Sequence, residues 1–290
     1  MGDLNYKKIP GLLCKLWSDK HGPFTWWDGE VIKPVDTCKF ISVCTVCMNR
    51  IQQLKKTIID NIEISLNEYP NFEFILLNYN SKDGMDEWVR KHLMKYIEMK
   101  KLVYYKTTEP EYFCNAHSRN IAWKLANGCL VTNMDADFRL EQGYLTRINV
   151  VAHQCTEKTI FVRSRSTIRG RIVLYKDDFM SLGGFDENLM GYSPWDRDLF
   201  DRAITYGFKF AALGGQFGSR LQEVLEEDED GKEYHPDRGA NYKFGNWRDS
   251  MFFNRIISSS NILLSRFVAN YGRHWGAAKL QKNFDEDVRI

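Results

Sequence analysis

Asp135 and Asp137 stand one residue apart, where the apolar run Cys129-Leu130-Val131-Thr132 gives way to Asn133-Met134 and then to the charged Phe138-Arg139-Leu140-Glu141. A buried strand that empties into a loop in this way delivers two carboxylates to one place. Hard carboxylate oxygens suit Mg²⁺ or Mn²⁺, which take one or two protein carboxylates together with phosphate oxygens and water. The chemistry in view is a divalent cation and the phosphates it carries. Asp-any-Asp also arises as a solvated turn, and the pair alone leaves both readings open. The order of the residues around it favours the cation.

Three polar clusters follow apolar runs or open a helix. Met48-Asn49-Arg50 offers donors and acceptors suited to a nucleobase, with Arg50 alternatively facing a phosphate. Asn78-Tyr79-Asn80-Ser81-Lys82-Asp83-Gly84 carries amides and a carboxylate that could hold ribose hydroxyls, although the same residues are good turn formers. Asn115-Ala116-His117-Ser118-Arg119-Asn120 opens a helix and puts Arg119 within reach of a diphosphate. The helix dipole disfavours a cation there, which speaks mildly for function over a plain surface arginine.

These clusters need elements to position them, and from Phe40 strands and helices alternate. Phe40–Val46 reads as a buried strand, and Ile51, Leu54, Ile58 and Ile62 recur at helical spacing. Phe72–Leu77 is the second strand, followed by a helix through Trp88, Leu93 and Tyr96 and a third strand, Leu102–Tyr105. A helix over Ser118–Asn127 stops at Gly128 before the strand that leads to Asp135. The expected fold class is α/β, with right-handed βαβ units on a mostly parallel sheet. Ligands in such sheets bind at the carboxyl ends of strands, so the loops after the first, second and fourth strands should converge. Beyond Asp137, Ile160–Arg163 and Arg171–Tyr175 read as strands of a mixed sheet, and a helix carrying Leu199, Ala203 and Ile204 ends near Gly207. Residues 1–39, rich in Trp, Gly and Pro (Trp17, Trp26, Trp27), should form a strap over a main domain of residues 40–250. The acidic run Glu226–Asp230 reads as a solvated loop in preference to a binding element. Residues 251–290 form a helical tail, with Phe252, Ile256, Leu263 and Phe267 apolar and Arg255 and Arg266 polar. Packing on the domain or on a second subunit is preferred for that helix, and its basic amphipathic character leaves membrane contact open.

Composition narrows the classes. With 290 residues, 43% hydrophobic and 27% charged, the chain is ordinary globular material that can bury a substantial core. A net charge of +2 argues against a general attraction to nucleic acid or acidic membrane. Arg163, Arg165, Arg169 and Arg171 could still form a local patch for the phosphates of a nucleic acid or phosphorylated glycan, and solvated strand faces explain them equally well. Seven cysteines, an odd and scattered set, point to reduced thiols in a cytoplasmic protein. Cys44-Thr45-Val46-Cys47 is formally C-x-x-C, but it lies in a strand-like run without a second pair, which favours packing over redox work. No stretch approaches the ~20 apolar residues that span a bilayer, and the first residues lack a signal-peptide pattern, so a soluble protein is expected.

The series Val43-Cys44-Thr45-Val46-Cys47-Met48-Asn49-Arg50, Asn80-Ser81-Lys82-Asp83-Gly84, Ser118-Arg119-Asn120, Asp135-Ala136-Asp137, Gly183-Gly184-Phe185-Asp186-Glu187 and Trp195-Asp196-Arg197-Asp198 follows one order. It resembles the glycosyltransferases of the GT-A fold, the large inverting family two and its galactosyltransferase-like relatives, across residues 40 to 210. The resemblance implies a Rossmann-like sheet with helices on both faces and a smaller mixed-sheet acceptor region. Residues 40–140 would form the nucleotide-binding half and 141–250 the acceptor-binding half. It implies metal-dependent transfer of a sugar from a nucleotide-sugar, a UDP-sugar, to a hydroxyl acceptor in glycan or polysaccharide biosynthesis, with inversion. By the same resemblance Thr45, Asn49, Arg50, Asn80 and Asp83 cradle uridine. Asp135 faces ribose or sugar, and Asp137 ligates Mn²⁺ or Mg²⁺ with Asp135 sharing. The Gly-Gly-Phe-Asp-Glu segment leads into the acceptor site. The family's acidic pair is Trp-Asp here, which leaves Asp196 as the base and sets Trp195 and Asp198 on the acceptor side. The alternative for Asp196 is an N-cap for the helix carrying Leu199. Relatives often add a downstream His ligand, and His235 in Tyr234-His235-Pro236-Asp237 occupies that place, with a surface His beside an acidic loop as the alternative.

Competing readings keep specific features. A sugar-phosphate nucleotidylyltransferase would want a Gly-rich loop after the first strand, and Cys47-Met48-Asn49-Arg50 has no glycine. A non-catalytic nucleotide-sugar or glycan-binding module of the same fold stays in view because Trp195 replaces an acid. A transferase that glycosylates a nucleic acid is the third reading.

Overall fold

Alternate residues of a strand face opposite sides of its sheet, and here both sides are apolar. Ile41 and Val43 of β1 (Ile41–Cys47) enter one core, while Cys44 and Val46 enter the other. In β2 (Phe72–Tyr79), Phe72, Phe74 and Leu76 go with the first core, Ile75 and Leu77 with the second. Strands buried on both faces need helices on both. The first face is covered by α1 (Ile51–Lys55), α2 (Ile58–Glu68), α3 (Met85–His92), α4 (Met94–Glu98) and α6 (Tyr144–Gln154). The second carries α5 (Asn115–Leu125), α7 (Lys176–Ser181) and α8 (Trp195–Thr205).

The structure is a computed structural model that describes residues 37–155, 158–164, 167–191, 194–213, 222–223 and 247–290. Most of the expected 1–39 strap, the Glu226–Asp230 run and His235 lie outside the described residues, as do the side chains of Arg163, Arg165, Arg169 and Arg171.

The remaining strands of the main sheet are β3 (Leu102–Thr107), β4 (Leu130–Asn133), β6 (Thr159–Ser164), β7 (Thr167–Tyr175), β8 (Lys209–Ala212), β10 (Lys279–Lys282) and β11 (Glu286–Arg289). Their order is β11-β10-β3-β2-β1-β4-β7-β6-β8. The block β3-β2-β1-β4 is parallel. β7 then runs antiparallel to β4 and β6, and β8 is parallel to β6. The mixed strands therefore extend the central sheet, where a separate smaller region was expected. A small second sheet pairs β5 (Phe138–Arg139), just past the acid pair, with β9 (Gln222–Glu223).

Two differences from the sequence reading have physical causes. The helix expected through Ile51–Ile62 breaks at Lys56-Thr57, where the Thr57 hydroxyl donates to the Ala136 carbonyl at 2.6 Å and ties α2 to the acid-pair loop. The expected helical tail ends early: α9 (Trp247–Leu263) is followed by the β10/β11 hairpin, whose first strand pairs antiparallel with β3. An exposed edge at β3 is a liability that a paired strand removes. The hairpin is pinned by Asn283, whose Oδ1 accepts the Tyr104 N–H, and by Phe284 beneath the Arg90 guanidinium.

Candidate active site

The loops leaving β1 and β2 lock together through two asparagines in the left-handed region, Asn49 at φ 56° and Asn80 at φ 61°. Asn is among the residues that reach this conformation at low cost. The Asn49 N–H donates to Ser81 Oγ at 3.0 Å, and the Lys82 N–H donates to Asn49 Oδ1 at 2.7 Å. Asn80 donates to the Pro110 carbonyl, drawing in the loop after β3. Asp83 Oδ2 accepts the Ile51 N–H at 2.8 Å and so satisfies an orphan donor at the start of α1 from a different loop. Its other oxygen, Oδ1, and the Thr45 hydroxyl are buried with no protein partner among the described residues.

Beneath this loop lies a polar cluster that the sequence did not reveal. Asn78 accepts the Ser81 N–H and donates to both Asp86 and the Tyr104 hydroxyl. Tyr104 and Lys106 also donate to Asp86. Burial alone would raise the Asp86 carboxyl, but the hydrogen bonds from Lys106 and Tyr104 outweigh it and hold the group below the usual carboxylate range. These residues come from β2, α3 and β3, so no local spacing could have paired them.

The acid pair closes the crevice. Arg119, nearly buried on α5, reaches Asp135 Oδ1 with Nη2 at 2.7 Å and Asn115 Oδ1 with Nη1 at 2.6 Å. Arg50, from the loop after β1, reaches Asp137 Oδ2 with Nη2 at 3.1 Å. These bonds bring together the loops that carry Asn49, Arg50, Asn80, Asp83, Asp135 and Asp137 and the start of α5 with Arg119. The Asp135 and Asp137 side chains remain 30% and 13% exposed. Two accessible hard-oxygen donors on one loop fit the carboxylate share of a Mg²⁺ or Mn²⁺ site, in which phosphate and water complete the coordination. No group of three or more His, Cys, Asp or Glu gathers into a fuller cage among the described residues.

On the second face, Trp195 opens α8 with its ring 4.0 Å beneath the Arg119 guanidinium and 5.1 Å from the Phe185 ring. Asp196 is the second residue of α8; its Oδ1 accepts the Arg197 N–H at 2.8 Å, while the N-cap position belongs to Pro194. Asp198 corrects an expectation. It does not border an acceptor: both it and Arg202, one helical turn on, are wholly enclosed, with Arg202 Nε 2.8 Å from its Oδ2. Arg202 also donates to the carbonyls of Leu182, Gly184 and Phe267.

The Gly-Gly-Phe-Asp-Glu segment has a packing explanation in this chain. Gly183 at φ 69° faces the Ala269 carbonyl, which a Cβ would approach to 2.0 Å; at Gly184 a Cβ would meet Asn120 Oδ1 at 2.6 Å. Glu187 Oε1 accepts from Asn120 and from the Gly276 N–H, both at 2.8 Å. Cys44 and Cys47 serve opposite cores, and burial pushes the Cys47 thiol up to about 12 and raises Cys44 well above its ordinary value. Both therefore stay protonated and inert.

The model of the family described as "Glycosyl transferase family 2" matches residues 42–192. No curated protein matches the chain. Among solved structures, the mannosyltransferase PcManGT from Pyrobaculum calidifontis, in complex with GDP-Man and Mn²⁺, aligns at 17% identity and TM-score 0.54, covering 67% of this chain and 59% of that one. S. aureus TarS 1-349 with UDP-GlcNAc aligns at 17% identity and TM-score 0.50, covering 65% and 62%. GalNAc-T7 with UDP, GalNAc and Mn²⁺ aligns at 11% identity and TM-score 0.53, covering 71% and 47%. At these identities the likeness is one of fold, and the alignments span less than two thirds of each relative's length.

Proposed function

From the premise that the chain belongs to glycosyl transferase family 2, we propose that it moves a sugar from a nucleotide-sugar, a UDP-sugar first among the candidates, to a hydroxyl acceptor with inversion. The observation that carries this reading is the meeting of Arg119 with Asp135 and of Arg50 with Asp137 at the carboxyl end of β4. The Thr45 hydroxyl and Asp83 Oδ1, buried without protein partners, supply polar atoms that a uridine would satisfy, and Asn49 and Asn80 shape the wall around it. The structures of relatives with GDP-Man and Mn²⁺, or with UDP, GalNAc and Mn²⁺, support a nucleoside diphosphate in this crevice.

Asp137, with Asp135, would hold Mn²⁺ or Mg²⁺, which when bound neutralises charge on the departing diphosphate. Arg119 and Arg50 present guanidinium donors that can pass from carboxylate to phosphate oxygens, a geometry Arg satisfies in bidentate fashion. Packing of Trp195 under Arg119 fixes the direction in which that guanidinium points. Asp196, at the mouth of α8, takes the proton from the acceptor hydroxyl as its oxygen attacks the anomeric carbon. Trp195, which precedes that carboxylate on α8, would border the acceptor.

Calorimetric titration of UDP- and GDP-sugars with and without Mn²⁺ tests the reading. The wild type should bind a nucleotide-sugar in a metal-dependent manner, and Asp137→Asn should weaken that binding by about a hundredfold or more. Equal affinity of the two proteins for every nucleotide-sugar tried would overturn it.

A further inference from the structure

The helix α9 is built inside out. Ser250, Asn254 and Ser258 recur every fourth residue on its buried side. There Asn254 donates to the Met190 carbonyl at 2.7 Å, and Asn261 donates to Asp186 Oδ2 at 3.1 Å. On the opposite side, at i, i+4 and i+11, stand Phe252, Ile256 and Leu263, which are 61%, 49% and 84% exposed. Phe253, Leu264 and Tyr271 extend the exposed apolar surface. Exposed Ser259 and Ser260 divide this surface into Phe252, Phe253 and Ile256 on one side and Leu263 and Leu264 on the other. Single exposed apolar side chains need no explanation, whereas clusters of them mark a surface that meets something apolar.

The charges on this face identify the partner. Arg255 on α9 and Arg266 and Arg273 in the segment after it are exposed, Arg273 also donating to Asn188, and Asp249 is the one acid between residues 249 and 274. Among the described residues no helix is long and apolar enough to cross a membrane. An exposed apolar row flanked by arginines is the composition that seats in the plane of a lipid surface, with the apolar side chains at the acyl boundary and the cations against anionic headgroups. We infer that α9 and the segment leading to Arg273 dock this protein on an anionic bilayer. A second copy meeting the same patch about a two-fold axis would offer those arginines only Asp249 as a counter-charge from this stretch of chain. Residues 1–36 hold five acids and five bases, so they offer no net charge to the patch; the acidic run Glu226–Asp230 is the competing occupant from this chain, and with it seated there the wild type would leave anionic vesicles unbound. The buried side of α9 meets the chain leading to Trp195 and Asp196 through the Asn254–Met190 bond, while the docked face points away from it, and the docking stands independently of the transfer reaction.

Co-sedimentation of the full chain with vesicles tests this, using phosphatidylcholine alone and phosphatidylcholine with about one third phosphatidylserine. The wild type should sediment with the anionic vesicles and be released by salt. Each arginine near an anionic surface contributes roughly fivefold, so the double variant R255E/R266E should lose more than about twentyfold in partitioning. F252S/F253S and, independently, L263S/L264S should each lose about tenfold or more with unchanged melting temperatures, because the replaced side chains are exposed. Absence of vesicle binding by the wild type, equal binding to neutral vesicles, or equal binding by all variants would overturn the inference. So would self-association in sedimentation velocity that F252S/F253S abolishes while vesicle binding persists, since the face would then be an interface between copies.

Discussion

Two arginine–aspartate pairs, one stacked on Trp195 at the start of α8 and one within α8, do opposite things. In the crevice Arg119 meets Asp135 at 2.7 Å with the carboxylate 30% exposed. Behind it Arg202 meets Asp198 at 2.8 Å with both side chains wholly enclosed. The second pair has its remaining donors committed to three carbonyls, so it can exchange partners only by opening the fold. The first keeps water at hand and a second acid two residues away, so a phosphate or cation can replace one partner at small cost. The same residue types therefore do chemistry or hold structure according to how much solvent they retain.

The sharpest way to break this comparison is to remove one member from each side. Arg202→Met should cost about 3–5 kcal/mol in urea unfolding, because it strands the Asp198 carboxylate in the core. Asp137→Asn, which weakens donor binding about a hundredfold or more under the proposal above, should change stability by less than about 1 kcal/mol, as expected for a partly solvated pair. If both variants unfold at the same urea concentration, solvent exposure is not what separates the two kinds of pair.

Asp196 sits on the border between the regions, and its replacement sharpens where that border falls. Asp196→Asn should retain donor affinity and lower kcat by about a hundredfold, measured in steady-state transfer. The asparagine can still accept the Arg197 N–H, so a purely local helix-end role predicts near-native turnover instead.

The crevice half was largely legible in the sequence because its residues lie in short loops directly after strands, where alternation fixes which end they occupy. The run Cys129–Thr132 places Asp135 and Asp137 at a strand's end, and the loop order brings Arg50 and Arg119 to the same end; that each arginine pairs with an aspartate is seen only in the structure. The junction of α8 with the Gly183-Gly184 turn and the chain after α9 was not legible for a physical reason: Arg202 meets Leu182, Gly184 and Phe267 across long separations. Nothing local to Asp198 says that Arg202 will carry it into the core beneath Leu182 and Phe267. The Gly183-Gly184 pair reads in sequence as part of the acceptor approach, whereas its tightest constraint is the backbone of Ala269, far along the chain. The tail failed for the same cause, since Lys279–Lys282 becomes a strand only because β3 leaves an edge to be paired.

The glycine assignment gives a smaller test on the junction side. Gly183→Ala adds a Cβ at φ 69° against the Ala269 carbonyl and should destabilise by more than about 1 kcal/mol, on the order of 2–3 with the clash included. The drop should appear as a lowered melting temperature, with the donor affinity of the surviving folded protein unchanged. A loss of donor affinity at full stability would move Gly183 from the junction to the crevice.

The gentlest test lies at the foot of the crevice, in Cys47, whose carbonyl accepts the Ser81 hydroxyl and whose thiol is pushed up to about 12 by burial first and by the Asp83 carboxylate second. An unfolded cysteine titrates near 8.5. Between those two values the unfolded chain has lost a proton that the folded protein keeps, so stability falls as pH rises. From pH 8.5 to 9.5 the loss from this one thiol is about 1 kcal/mol. The other buried cysteines contribute in the same sense, so the measurement is a difference between wild type and Cys47→Ala in urea unfolding at each pH. The stability advantage of the wild type should shrink by about 1 kcal/mol over that interval. An advantage independent of pH would mean that Cys47 ionises in the folded protein as readily as in the unfolded one. The C-x-x-C spacing with Cys44 would then be available for thiolate chemistry, and the floor of the crevice would belong with its reactive walls instead of with the inert core.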